Sequence, residues 1–228
     1  MRQATQTPVC SIIIPTCNEA PNIGSLLDAL LQQNDPVEII VVDGGSDDNT
    51  ITIVNEYPEV TLLKSDMGRA IQMNTGADHA SHSPLVFLHA DTIIPENFTA
   101  EAKKIDPHSW GYFYTQIHSK RLVFRIIEFM MNHRSRITRV ITGDMVITVG
   151  SELFHESGKF ADLGLMEDIE ISKKMRKKRH PCRVNATVKT SPRRWEKHGV
   201  FKTILLMWRL RLGFYLGMDI EKLVIKYN

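Results

Sequence analysis

The sequence predicts an α/β protein: one mostly parallel central sheet flanked by helices, with a helical C-terminal tail. Three observations predict it. Short apolar runs without polar alternation recur through the first half, as strands buried on both faces require. Segments with apolar residues at helical spacing lie between them. Each run then ends in polar or small residues, the punctuation of strand-to-helix loops.

Val9–Pro15 (VCSIIIP) is apolar and stopped by proline, a first strand. Asn18–Gln33 carries Leu26, Leu27, Leu30 and Leu31 at helical spacing. Glu38–Asp43 (EIIVVD) is a second buried strand, and Asp48–Tyr57 a helix opened by an Asp-rich turn. Val60–Lys64 is a short third strand. Gly68–His82 is a helix with small residues on one side, and Leu85–His89 (LVFLH) a fourth strand. Beyond these, Trp110–Ile117 reads as a strand, Arg121–Met131 as an amphipathic helix and Asp144–Val149 as a strand. Met166–Lys178 is a charged helix and Arg183–Lys189 a closing strand, with Val200–Tyr215 and Asp219–Tyr227 as C-terminal helices. No internal repeat or long linker interrupts this order. The expectation is one domain over 1–228, with a ligand-holding half over about 9–117, a second half over about 118–199 and helices over 200–228.

At 228 residues the chain can bury one sizeable core. No opening stretch has the pattern of a signal peptide, and no uncharged apolar run reaches about 18 residues. Cys10, Cys17 and Cys182 lack metal-type spacing and read as reduced thiols, so a cytoplasmic location is expected. The net charge of +2 hides an asymmetry: residues 1–117 carry 5 Lys and Arg against 15 Asp and Glu, and residues 118–228 carry 23 against 11. A nucleic-acid binder would interleave aromatics or show a recognised module; neither is present, so nucleic acid is not expected as a partner. A phosphate-bearing ligand or an anionic lipid surface suits the basic half, as do solvated helix faces. Val200–Tyr215 interleaves aliphatics and Trp208 with Lys202, Arg209 and Arg211, which suits peripheral contact with a membrane; packing on the protein's own core is the simpler reading.

Ligands of open α/β sheets bind outside the carboxyl ends of the strands. Three polar clusters fall there: Pro15-Thr16-Cys17-Asn18-Glu19, the run from Asp43 to Thr50, and His89-Ala90-Asp91. Each alone is an ordinary loop; three on one sheet edge favour a site. Asp43 ends an apolar strand, where a carboxylate needs partners, and a base edge or ribose hydroxyl could supply them. Gly44 and Gly45 let backbone approach a ligand, and Ser46 and Asp48 can cap the next helix. His89 and Asp91 alternate correctly to face one ligand, and one carboxylate suffices for a divalent ion whose other positions are filled by phosphate and water. Glu167-Asp168-Ile169-Glu170 opens a helix, where carboxylates suit the dipole and where an aspartate can take a proton from a hydroxyl. The Arg193-Arg194-Trp195-Glu196-Lys197-His198 run is densely polar, and its cations can neutralise a departing diphosphate. G-x-G-x-x-G and a Walker lysine are both absent.

Taken together, SIIIPTCNEAPNI, VVDGGSDDNT, GRAIQMNTGA, FLHADT, GDMVITV, MEDIEIS and RRWEKHG resemble, in order and over roughly residues 9–199, the family-2 glycosyltransferases of GT-A fold. The short length and the tail LGFYLGMDIEKLVIKY are most similar to small bacterial members, some associated with arsenosugar biosynthesis. The resemblance implies transfer of a sugar from a nucleotide-diphosphate sugar, usually a UDP-sugar, to an acceptor hydroxyl. Pro15, Thr16, Glu19, Asp43, Gly44, Ser46 and Arg69 would bind the donor nucleotide. Asp91 would hold Mn²⁺ or Mg²⁺ as the last residue of a D-x-D motif, with His89 standing where its first aspartate belongs. Asp168, beside Glu167, would be the catalytic base. Arg194 and Trp195 would match the end of a Q-x-x-R-W motif and act, with His198, on leaving group or acceptor; Ser191 replaces the glutamine. Transfer to a polyprenyl-phosphate carrier and nucleotide-sugar binding without catalysis are the alternatives.

Overall fold

The computed structural model describes residues 7–227, apart from the side chains of Arg194, Glu221 and residues 225–227. The elements run β1 (Ser11–Thr16), α1 (Ala20–Leu31), β2 (Glu38–Asp43), α2 (Thr50–Val54), β3 (Val60–Lys64), α3 (Arg69–His79), β4 (Leu85–Phe87), α4 (Phe98–Ala102) and β5 (Trp110–Ile117). There follow α5 (Leu122–Thr138), a 3-10 turn (Gly143–Met145), β6 (Ile147–Val149), α6 (Ser151–Glu156), α7 (Glu167–Lys178), β7 (Cys182–Thr190), α8 (Arg193–His198), α9 (Val200–Tyr215) and α10 (Ile220–Tyr227).

The strands form one seven-stranded sheet in the order β3-β2-β1-β4-β6-β5-β7. The pairs β1–β2, β1–β4, β2–β3 and β5–β7 are parallel, while β6 runs antiparallel to both β4 and β5. The carboxyl ends of β1, β2 and β4 therefore share one edge with the start of β6, because Phe87 at the end of β4 faces Ile147.

The first strand shows why the sheet is covered on both faces. Ile12 and Ile14 pack with Ile23, Leu26, Leu27 and Leu30 of α1, whereas Ile13 turns to Ala70, Met73 and Ala77 of α3. Alternate side chains of a strand leave on opposite faces, so a continuous apolar run needs a helix layer on each side. Burying each Ile stabilises the fold by about 1.5–3 kcal/mol. A Cβ on Gly76 of α3 would come within 2.5 Å of Ile13, so this glycine sets the close seat of α3 on the sheet.

Two expectations need correction. The strand over Asp144–Val149 is a 3-10 turn followed by a strand of three residues, because Val146 turns the chain at φ 52°. The helix from Arg121 does not stop at Met131 but continues to Thr138. Its buried face becomes polar there: Asn132 donates to Thr115 O (2.8 Å) and accepts from Thr115 N (3.1 Å), which keeps the helix on β5 without apolar spacing.

Candidate functional site

The three loops of the sheet edge are laced together. Asn18, at φ 56°, accepts from Asp47 N (2.9 Å) through its side chain, and its own N–H donates to Ser46 Oγ (2.9 Å). Glu19 N donates to Thr50 Oγ1 (2.9 Å). Gln72, one turn after Arg69 on α3, donates from Nε2 to Thr16 O (2.7 Å) and Val42 O (2.9 Å), pinning the last residues of β1 and β2. These bonds build a fixed wall from Pro15, Thr16, Gly44 and Ser46.

Asp43 is 1% exposed at the end of β2. The partners that its carboxylate needs come from its own loop: it accepts from Gly45 N (2.9 Å), Ser46 N (2.9 Å) and Ser46 Oγ, with Thr16 Oγ1 at 3.4 Å. The loop folds back on its own strand end, and Gly45 at φ 96° allows it. Ser46 is spent on Asp43 and Asn18, while Asp48 accepts from Thr50 N (2.9 Å) at the start of α2.

A second group closes around the start of β6. Asp168 accepts from Gly143 N (2.8 Å) and Ile169 N (2.7 Å). Glu167, 3% exposed, faces Nε of Arg69 at 3.3 Å. The first residues of α3 and α7 thus meet as an ion pair. Arg69, His89, Gly143, Glu167 and Asp168 line one small hollow, floored by Met73, Phe87 and Phe160. Burial pushes the Glu167 carboxyl up, against the pull of Arg69. Burial and then the Arg69 charge push the His89 imidazole down, so it is neutral at neutral pH. Nδ1 of His89 lies 3.9 Å from the Asp144 carboxylate. Met166 before α7 and the β-branched Val146 both hold positive φ, 69° and 52°, a strained frame around this hollow.

Asp91 and Glu19 are bridged by Arg193, whose Nη2 lies 3.3 Å from Asp91 and 3.2 Å from Glu19. The first arginine of the Arg-Arg-Trp run therefore reaches the edge. The side chain of Arg194 lies outside the described ones. Trp195 packs edge-on to Phe124, centroids 6.5 Å apart, in the cluster of Ile117, Ile127 and Val200, and His198 is exposed at the end of α8. Neither Trp195 nor His198 lines the hollow of Asp168. From the other side come Arg134 of α5 and Arg211 of α9, each within electrostatic reach of Asp144 and Asp168. Burial, and for Arg134 the charge of Arg211, lowers both; Arg134 falls to about 10.

Sequence reasoning missed Gln72, Asp144 and Arg134, and gave Arg193 and Arg211 only as members of basic runs. Gln72 had a signal, since it lies three positions after Arg69 on one helix face. Asp144 stands in the GDMVITV segment, whose pattern reads as strand. Nothing local marked Arg134, or set Arg211 apart from Lys202 and Arg209; their approach depends on how α5 and α9 pack.

Among the described residues no group of three or more His, Cys, Asp or Glu is placed to hold a metal ion. Asp91 with the neutral His89 offers a partial donor set, which fits an ion that takes most of its oxygens from a phosphate ligand.

Glycosyltransferase AglE of Haloferax volcanii is 36% identical over 93 residues, 37% of this chain and 31% of that protein. A PGL/p-HBAD biosynthesis glycosyltransferase of Mycobacterium bovis is 36% identical over 96 residues, 39% of this chain and 38% of that protein. The matched segments thus span about a third of these curated relatives. Among solved structures, a mannosyltransferase of Pyrobaculum calidifontis in complex with GDP-Man and Mn²⁺ superposes with TM-score 0.65 at 26% identity, covering 93% of this chain and 63% of that one. Residues 1–349 of TarS from S. aureus in complex with UDP superpose with TM-score 0.62 at 22% identity, covering 80% and 61%. The fold is the GT-A glycosyltransferase fold. The family description Glycosyl transferase family 2 matches residues 11–160, most of the sheet and both groups around Asp43 and Asp91, and the chain belongs to that family.

Proposed function

We propose that the chain transfers a sugar from a nucleotide-diphosphate sugar, a UDP-sugar in our reading, to an acceptor hydroxyl with inversion at the anomeric carbon. One observation carries the reading: Asp168, held by the Gly143 amide, shares a hollow with Arg69 and His89 on the sheet edge where the Asp43 loop lies. A base and the Arg69 cation for a leaving diphosphate thus converge on one edge.

In this mechanism the acceptor oxygen attacks the anomeric carbon, the bond from that carbon to the diphosphate oxygen breaks, and the hydroxyl proton passes to Asp168. The two amides on Asp168 fix its carboxylate but leave it lone pairs for that proton. Glu167 acts through Arg69, holding the guanidinium toward the phosphates. The wall of Pro15, Thr16, Glu19, Asp43, Gly44 and Ser46 takes the nucleoside. Asp91, with His89, would hold Mn²⁺ or Mg²⁺. A bound ion would neutralise charge on the departing diphosphate. The P. calidifontis neighbour in complex with GDP-Man and Mn²⁺ and the TarS neighbour in complex with UDP support a nucleotide-sugar donor and a divalent ion. The Arg193–Gly199 run and the tail support, in our reading, a place beside the small bacterial members associated with arsenosugar biosynthesis.

A thermal-shift panel of nucleotides and nucleotide-sugars, with and without Mn²⁺, tests the donor. A ligand at 100 times its dissociation constant stabilises by about 2.7 kcal/mol. Failure of every nucleotide-sugar to shift the transition removes the proposal. Binding without metal-dependent hydrolysis or transfer would leave a nucleotide-sugar-binding protein instead.

A further inference from the structure

We infer that α5 and α9 form a two-helix plate that docks on an anionic bilayer, so that the site works on an acceptor carried in the membrane. This last clause rests on the proposed transfer reaction; the docking does not.

The two helices meet through their first turns. Phe124 and Ile127 of α5 pack with Val200 of α9, and Ile204 packs against that cluster. Further along, Arg134 of α5 and Arg211 of α9 are close enough to repel. The first turns of the two helices thus share one apolar cluster, and their later turns bring Arg134 and Arg211 within electrostatic reach of each other.

Each helix carries an apolar stripe on the side away from the protein. On α5 it is Leu122, Ile126, Phe129 and Ile137, spaced by one or two turns, with Leu122 82% exposed. The buried positions Phe124, Ile127, Glu128 and Ser135 lie on the opposite side of that helix. On α9 the stripe is Phe201, Leu205, Trp208, Leu212 and Tyr215, with Phe201 82% and Trp208 61% exposed. Scattered exposed apolar residues are ordinary, but two adjacent stripes at helical spacing mark an interaction surface. An apolar groove between α9 and α10 continues it, lined by Leu212 and Leu216.

Charge selects the occupant. Arg121 and Arg136 are exposed on the flank of α5, and Lys202 and Arg209 on the flank of α9. Glu128 is the sole carboxylate in either helix, and it is buried against Arg125. An apolar strip between basic rows suits the headgroup region of an anionic leaflet. No helix among the described residues is long and apolar enough to cross a membrane, so contact is peripheral. The plate also borders the site, since Arg134 and Arg211 extend from it toward Asp168 and Asp144.

The test is flotation of the full chain with phosphatidylcholine vesicles, with and without about 30% phosphatidylglycerol, a content chosen to give a strongly negative leaflet. Expected is salt-sensitive binding to the anionic vesicles alone. The Ile126→Ser/Phe129→Ser pair on α5 and the Leu205→Ser/Trp208→Ser pair on α9 should each weaken it about 10-fold or more. Lys202→Glu/Arg209→Glu should do so by about 10-fold or more. Absence of binding to anionic vesicles overturns the inference, as does binding that ignores the α5 pair. A concentration-dependent dimer abolished by the same substitutions, with no flotation, assigns the face to a second copy. Nucleotide-sugar thermal shifts run in parallel on every variant: an unchanged shift shows the donor wall intact. Flotation without any shift in the wild type removes the transfer reaction while leaving the docking.

Discussion

The guanidinium of Arg193 lies 3.3 Å from the carboxylate of Asp91, the residue we propose for the metal. The same nitrogen reaches Glu19, so a single cation spans the first and third loops of the sheet edge. A divalent ion and Arg193 would then compete for one carboxylate. Replacing Arg193 with Ala should tighten Mn²⁺ binding to the donor-free protein while slowing transfer. The bridge is largely solvated, so the cost in stability should stay within about 1 kcal/mol. Mn²⁺ titration followed by electron paramagnetic resonance reads the first effect; unchanged or weaker affinity would count against the competition.

Asp168 takes two backbone amides, from Gly143 and Ile169. Asn at this position retains an acceptor oxygen but loses the basic one. Asp168→Asn should keep the nucleotide-sugar thermal shift and lose turnover by about 10²–10⁴-fold. Transfer at the wild-type rate would remove Asp168 from the role of base.

His89 sits 3.9 Å from Asp144, with Asp91 and Asp168 nearby. His89→Asp would place a carboxylate among carboxylates, repulsive until a cation arrives. The variant should melt below the wild type in chelator and gain more from Mn²⁺ than the wild type does. Equal gains in differential scanning calorimetry would show that position 89 does not face the ion.

Glu167 gives a pH signature with a definite sign. Its carboxyl is raised in the folded protein by burial, so the native state holds this proton after the unfolded chain has released it near pH 4.3. Its contribution is complete below that pH and is lost as pH rises through the folded value. Glu167→Gln should flatten this fall in denaturant-derived stability against pH; an unchanged slope would assign it to another group.

Gln72 is buried and pins two backbone carbonyls at the sheet edge. Gln72→Leu leaves both acceptors without this donor, at a cost of about 1–3 kcal/mol. It should also weaken nucleotide-sugar binding, because the Asp43 loop loses its support. Urea unfolding and ligand titration on the same variant measure both; lost stability with intact affinity would make Gln72 a purely structural residue.

The strands were legible where both faces are covered. Glu38–Asp43 and Trp110–Ile117 have the expected bounds, since an apolar run flanked by polar turns leaves little choice. Sequence failed where side-chain chemistry replaces periodicity. The last turns of α5 are seated by Asn132 and Ser135, so an apolar pattern ends before the helix does. The short helices α4, α6 and α8 are too brief to show a period. At the site, the three loop clusters were readable because each follows a strand. Arg193 was not separable from Arg194 by motif order, and the partners of Asp43 lay within its own loop, where reasoning from burial pointed to a ligand.

The antiparallel strand β6 has a consequence for the chemistry at the sheet edge. Strands that end at an edge present carbonyls there, whereas one that begins there brings amide hydrogens. The Gly143 amide on Asp168 comes from this reversed entry, and its position follows from the pairing of Ile147 with Phe87. The pairing works as a ruler: the segment over 139–146 has a fixed length to span between α5 and that register. Adding or deleting one residue would slide the amide off the aspartate or turn β6 onto its other face. Aim at Asp168 is thus set by the arithmetic of a strand pairing, not by the adaptability of a loop.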